Sequence, residues 1–262
     1  MNTTPTPYAD VNAVLNELAT QLQALLGSHF CGMYLYGSLA LGDFDPQQSD
    51  IDFLVVTDAE LPDELIEELK AFHERFARSG SPWAENIEAA YVPCEALRHT
   101  EPTEARYPQV EKEFPFLLAP LEIGWSFQRH TLYTCGVRVA GPEPRELFEP
   151  VAPEDLRRAA AAIVNLWLGE IHSPEWLDWA RSRKNQAFVV LTLCRVLYVL
   201  ETAQIASKPQ AAHWAQAHLG ERWSGLIERS LAGKYAKEDA PEEDLQETLA
   251  LIQYMAEQIR AR

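Results

Sequence analysis

Two aspartates stand two residues apart in Ser49-Asp50-Ile51-Asp52, downstream of a Gly37-Ser38 pair in Tyr36-Gly37-Ser38-Leu39-Ala40-Leu41-Gly42. The run Ile51 to Val56 (IDFLVV) is almost continuously apolar and reads as a strand central in its sheet. On a strand, side chains two apart project from the same face, so Asp50 and Asp52 stand together while Ile51 points into the core. Carboxylates crowded on one face repel each other unless a cation lies between them. Magnesium is the natural resident, because it takes hard oxygen ligands and shares its remaining sites with phosphate oxygens and water. Gly37 and Ser38 make a turn without bulk, where backbone N–H groups and a hydroxyl can hold a triphosphate, and Ser49 directly precedes the first carboxylate. Gly42 permits the bend that brings the loop back. A D-x-D pattern alone is common. Joined to the upstream Gly-Ser pair and the strand that follows, it reads as a site for metal-bound phosphates.

A third acid, Glu88, interrupts the otherwise apolar stretch Asn86 to Val92. A carboxylate inside such a strand is a local inconsistency of the kind that gathers at functional sites. It suits either a third metal ligand or a base that takes a proton from an acceptor hydroxyl.

The elements around these residues follow from periodicity. Tyr8 to Leu26 carries Val11, Val14, Leu15, Leu18, Leu22 and Leu25 at helical spacing, with Gly27 as a stop. Phe30 to Tyr36 and Ile51 to Val56 read as strands, Pro62 to Arg78 as a helix and Asn86 to Val92 as a third strand, giving a small mixed α/β sheet. The stretch GPEPRELFEPVAP, Gly141 to Pro153, is rich in proline and marks a boundary. Beyond it, Asp155 to Ile171, Asn185 to Thr202, Pro209 to Leu219, Trp223 to Tyr235 and Glu242 to Arg260 all show helical spacing, and Ser207 caps the third with Pro209 in its first turn. The expected fold class is α+β: a mixed-sheet domain over 1–150 and an α-helical bundle over 151–262.

The chain has 262 residues, 39 acidic against 22 basic, and a formal charge of -17. Such a surface repels nucleic acid and anionic lipid and attracts small polycations. No apolar run approaches the ~20 residues that span a bilayer. The N-terminal MNTTPTPYAD has neither the basic region nor the apolar core of a signal peptide, so a cytoplasmic protein is expected. Cys31, Cys94, Cys135 and Cys194 form no CxxC pair, lie in apolar stretches, and read as small buried hydrophobes.

The Gly-Ser and Asp50-x-Asp52 pattern resembles the nucleotidyltransferase fold of the DNA polymerase β type. The whole chain resembles the bacterial aminoglycoside-3''-adenylyltransferase family, the streptomycin and spectinomycin adenylyltransferases, through GPEPRELFEPV, through VVLTLCRVLYVLETAQIASKPQAAHWA, and through Tyr235. The resemblance implies a magnesium-dependent enzyme that moves AMP from ATP onto a hydroxyl of a small cationic acceptor of the aminoglycoside type; a monomer is the expected state, though no residue pattern reveals it. It implies Glu88 as the base, Asp50 and Asp52 as metal ligands, and Arg195, Lys208 and Tyr235 beside Gly37, Ser38 and Ser49 as ATP-binding residues. For the acceptor it points to Trp176. Two acidic positions of the family fall on Arg181 and Asn185, where both carboxylates are absent; Asp178 and Glu175 lie nearby to substitute. The tryptophan that the family places between its third strand and the next helix has no counterpart in register, Trp125 lying elsewhere. Two other readings keep the fold: a catalytically weak nucleotidyltransferase-like antitoxin or regulatory protein, and an enzyme that transfers AMP to a protein hydroxyl.

Overall fold

The computed structural model describes residues 4–98, 104–112 and 116–261, so the first three residues of the N-terminal segment considered above lie outside it. The chain divides into two compact units, Met1–Val151 and Ala152–Arg262.

The first unit opens with α1 (Ala9–Leu26), β1 (Phe30–Leu35), the five-residue α2 (Gly37–Leu41), β2 (Ile51–Thr57), α3 (Asp63–Ala77) and β3 (Ile87–Pro93). It continues with β4 (Arg106–Val110), β5 (Leu117–Pro120), α4 (Trp125–Cys135), β6 (Val137–Ala140) and α5 (Pro144–Leu147). Among the described residues the strands form one six-stranded sheet in the order β5-β4-β3-β2-β1-β6. Only β2 and β3 run parallel, joined through α3; every other neighbouring pair is antiparallel. Sequence periodicity exposes only the three strands at the centre of this sheet. The others are four or five residues long, and β4 has Pro108 at its middle, so no alternation accumulates to reveal them.

The pleat sorts the central strands into two faces. Ile51, Phe53 and Val55 of β2 and Ile87, Ala89 and Tyr91 of β3 join Leu15, Leu18 and Leu22 of α1 and Leu69 and Phe72 of α3 in one core. Leu54 and Val56, with Ala90 and Val92, turn the other way onto a second core shared with Leu132 of α4 and Phe148. Asp52 and Glu88 share the parity of this second face. Each is the only residue of its seven-residue strand that is not fully buried.

The second unit contains α6 (Pro153–Glu170), α7 (Pro174–Trp179), α8 (Arg183–Thr202), α9 (Lys208–Leu219), α10 (Glu221–Gly233) and α11 (Glu242–Arg260). The central helix is α8, which buries Val189, Val190, Leu193, Val196, Leu197 and Leu200 and packs against α6, α9, α10 and α11. Its open stripe carries Phe188, Thr192, Arg195 and Tyr198, three or four residues apart. Ser207 caps α9 by accepting the Gln210 amide at 3.3 Å, with Pro209 in the first turn as its sequence suggests. The short α7 is not visible in the periodicity.

The cysteines correct the expectation placed on them. Only Cys194 is buried, and burial pushes its thiol up to about 12; Cys31 and Cys94 are half-buried, and Cys135 is exposed at the end of α4. Apolar neighbours in sequence do not bury a residue that falls at a helix end. Among the described residues no helix is long and apolar enough to cross a membrane.

His73 of α3 is buried in the first core with Nε2 2.6 Å from the Tyr91 hydroxyl, and burial depresses its imidazole from 6.5 to about 3. Between those values the unfolded chain binds a proton that the folded chain refuses. This contribution to stability is therefore complete above about pH 6.5 and is lost as pH falls toward 3, at about 1.4 kcal/mol per unit. His73→Gln, which keeps a polar partner for Tyr91, is expected to flatten the acid limb of stability in urea titrations at about pH 7 and about pH 5. An unchanged slope would contradict the assignment to His73.

Candidate active site

The corner between β1 and α2 is shaped by what lies beneath it. Gly37 has φ +59°, a left-handed conformation that glycine adopts without penalty, and a Cβ at this position would strike the carboxylate of Asp52. The absence of a side chain is thus what lets the turn rest on the acid. The Tyr36 amide donates to the Asp52 carbonyl at 3.1 Å, tying the turn to the start of β2. Gly42, φ +75°, ends α2, and the Asp43 amide donates back to the Ser38 carbonyl at 2.9 Å. Ser49 is buried; its Oγ accepts the Asp45 amide at 3.0 Å and its own amide donates to the Asp45 carbonyl at 2.8 Å, so it closes the loop that delivers Asp50.

Asp52 and Glu88 are direct register partners across the parallel β2–β3 pair. Both side chains leave the sheet on the same face, beside Tyr36, whose phenol is pushed well above its ordinary value by burial and by the charges of Asp52, Glu88 and Glu111. A strongly negative region therefore surrounds the Gly37-Ser38 corner. Glu111 and Lys112 escape the sequence reading because β4 itself does. Lys112 Nζ lies 3.1 Å from Asp50 Oδ1 and 2.9 Å from Asn86 Oδ1. Trp125, at the start of α4, stands with its ring 6.1 Å from that of Tyr36. The tryptophan whose sequence position seemed unrelated is thus brought beside the corner by β4, β5 and α4.

The residues present suit a divalent cation. An ammonium group already sits on Asp50, so the position accepts positive charge, and Asp50 and Asp52 offer hard oxygen donors. Among the described residues no three His, Cys, Asp or Glu side chains are grouped to hold an ion by themselves.

In the helical unit the candidate residues spread over two regions. Arg195 lies on the open stripe of α8, and Lys208, half-buried at the start of α9, places its ammonium 4.8 Å from the centre of the Phe188 ring. Tyr235 is 39% exposed after α10, with Lys234 over its ring. Its segment is held to the start of α8 by Arg183 N–H to Glu238 O at 3.1 Å and Ala240 N–H to Arg181 O at 2.9 Å. Trp176 is buried, and its amide donates to Ser173 Oγ. The open aromatic surface belongs instead to Trp179 and Phe188, neither of which stands out in the sequence. Asn185 donates from Nδ2 to the Trp179 carbonyl at 2.9 Å, which anchors α7, while Asp178 and Glu175 are exposed. Arg181 pairs with Glu242 at 3.6 Å.

Comparison with known proteins identifies the family. Residues 146–258 match the family model described as aminoglycoside adenylyltransferase, C-terminal domain, and residues 15–112 match that of the nucleotidyltransferase domain. The chain is 30% identical over 246 residues to an aminoglycoside (3'') (9) adenylyltransferase of Shigella flexneri, covering 87% of this chain and 89% of that protein. It is 31% identical over 234 residues to one of Escherichia coli, covering 82% and 84%. A spectinomycin 9-adenylyltransferase of Campylobacter jejuni is 25% identical over 268 residues, with 94% of each chain covered. In fold the chain is similar to the crystal structure of spectinomycin adenyltransferase AAD(9) from Enterococcus faecialis with ATP and spectinomycin, at a TM-score of 0.69 and 17% identity over 94% of this chain and 98% of that one. On these matches, which together run from the Gly-Ser corner through the last helix, the chain belongs to the aminoglycoside adenylyltransferase family.

Proposed function

We propose that this protein transfers AMP from ATP to a hydroxyl of an aminoglycoside of the streptomycin or spectinomycin type. The observation that carries the reading is the register pairing of Asp52 with Glu88, with the Asp52 carboxylate packed against Gly37; it supports the assignment of Asp52 as a metal ligand and Glu88 as the base beside the glycine-serine turn. The kinship to aminoglycoside and spectinomycin adenylyltransferases supports the nucleotide and the acceptor class.

Asp50 and Asp52 would hold magnesium, which when bound supplies neutralisation of the phosphate charge. The backbone N–H groups at Gly37 and Ser38 and the Ser38 hydroxyl orient the triphosphate. Glu88 accepts the proton of the acceptor hydroxyl; the hydroxyl oxygen then bonds to the α-phosphorus as the bond from that phosphorus to the bridging oxygen of pyrophosphate breaks. Arg195, Lys208 and Tyr235 are assigned to the nucleotide on the pattern of the family. For the cationic acceptor, the acidic surface supplies general attraction, and the exposed Asp178 and Trp179 supply the local chemistry, the buried Trp176 packing beneath Trp179.

An aminoglycoside panel with labelled ATP tests the reading. Wild type should label at least one cationic acceptor in a magnesium-dependent manner, and Glu88→Gln should lower kcat by about 10²–10⁴-fold while ATP still binds. Normal turnover by Glu88→Gln would remove the base. Asp50→Asn should lose metal-dependent ATP binding, as followed by calorimetry with and without magnesium; an unchanged titration contradicts its role. Gly37→Ala should abolish transfer, because the new methyl displaces Asp52, and should cost at least about 1–2 kcal/mol of stability from its left-handed backbone. A folded, fully active Gly37→Ala would mean the turn does not rest on Asp52 in the working enzyme.

A further inference from the structure

Lys112 is absorbed by none of the roles above, yet it contacts the carboxylate site directly. β4 runs antiparallel to β3 with Ala89 opposite Val110, so the chain beyond Val110 passes the start of β3. From there the Lys112 side chain reaches across that strand end to Asp50, immediately ahead of β2. Its ammonium is held between two acceptors, Asp50 Oδ1 at 3.1 Å and Asn86 Oδ1 at 2.9 Å. The second acceptor is rigidly placed: the Asn86 carbonyl takes the Ile51 amide at 2.8 Å, and the Asn86 amide donates to the Trp83 carbonyl at 3.0 Å. The carboxylate of Asp50 is therefore already engaged, through Oδ1, by a positive charge fixed from just beyond β4.

We propose that Lys112 is an internal counter-cation of the carboxylate site, a positioning residue that holds Asp50 in place before the divalent ion arrives and whose charge opposes that ion. The inference rests on the reading of Asp50 as a metal ligand. An ammonium and a divalent ion on one carboxylate repel each other, so the protein binds its metal against the charge of its own lysine. The pair is partly open to solvent, with side-chain exposures of 43% for Lys112 and 27% for Asp50, so the competition is moderate and weakens with salt. The arrangement keeps the acid oriented and partly neutralised when no metal is bound. It also lowers affinity for metal alone relative to metal that arrives with nucleotide, whose phosphate oxygens add ligands the lysine cannot match.

The test is a titration of the nucleotide-free full-length protein with Mn2+, free ion being read by electron paramagnetic resonance at low ionic strength. Melting curves in chelator confirm that each variant is folded. Lys112→Met should bind Mn2+ about two- to fivefold more tightly than wild type, the advantage shrinking as salt is added. Lys112→Arg, which keeps the charge, should stay close to wild type. Asn86→Ala, which leaves every charge in place but removes the second acceptor, should shift binding in the same direction by a smaller factor. Equal or weaker binding by Lys112→Met overturns the proposal, as does a Lys112→Met whose only defect is weakened ATP binding, the sign of a permanent phosphate ligand. Asp50→Asn separates the two layers of the argument. If it binds Mn2+ like wild type, the metal reading itself falls; if it loses binding while Lys112→Met gains nothing, only the lysine proposal falls.

Discussion

The parallel pairing of β2 with β3 is the constraint on which the rest of the first unit depends. In a parallel pair, register partners leave the sheet on the same side, so placing Asp52 opposite Glu88 forces two carboxylates together on one face. Nothing in an apolar sheet favours such a pair, and the strands reconcile it by confining it to their second positions, near the strand starts, with every later residue buried. The crossover through α3 and the first core it builds hold that register, because a slip of one residue would turn Asp52 into the core and Phe53 out of it. Stability and site placement are here the same requirement.

The glycine-serine corner answers the same constraint from above. Its backbone descends onto Asp52 closely enough that any side chain at residue 37 would collide with the carboxylate. The backbone of the corner and the Asp52 carboxylate are consequently placed by one contact rather than by two independent loops. The surplus negative charge is felt by Tyr36 and met at Asp50 by Lys112. The second unit is organised on another principle, a buried central helix with one open stripe. Arg195 and Phe188 share that stripe because helical spacing of three and four residues aligns them.

Much of this was legible in the residues. IDFLVV announces a central strand because both its faces are covered, and Glu88 announces itself as a charge in an apolar strand. The long amphipathic helices of the second unit show themselves by period, α11 at the bounds the structure gives it. What escaped was whatever short elements position. β4 and β5 are too brief for a pattern, so Glu111, Lys112 and Trp125, which reach the site through them and α4, had no visible address. The aromatic turn Trp176-Leu177-Asp178-Trp179 shows a related limit: in a six-residue helix, spacing cannot tell which tryptophan faces inward, and the structure buries Trp176 and exposes Trp179. Asn185 fits as a helix tie for the same reason that it seemed a departure, since an amide can donate to the Trp179 carbonyl where a carboxylate cannot.

The central claim is that Asp50, Asp52 and Glu88 act as one site beneath the Gly37 turn. A crystal of the protein grown with Mn2+, a non-hydrolysable ATP analogue and an acceptor, with the ion located by its anomalous scattering, tests it most directly. The account predicts the ion on the carboxylates of Asp50 and Asp52 and on phosphate oxygens, with Glu88 within hydrogen-bond reach of an acceptor hydroxyl, directly or through one water. An ion bound away from both aspartates, or Glu88 turned from the acceptor, would contradict it.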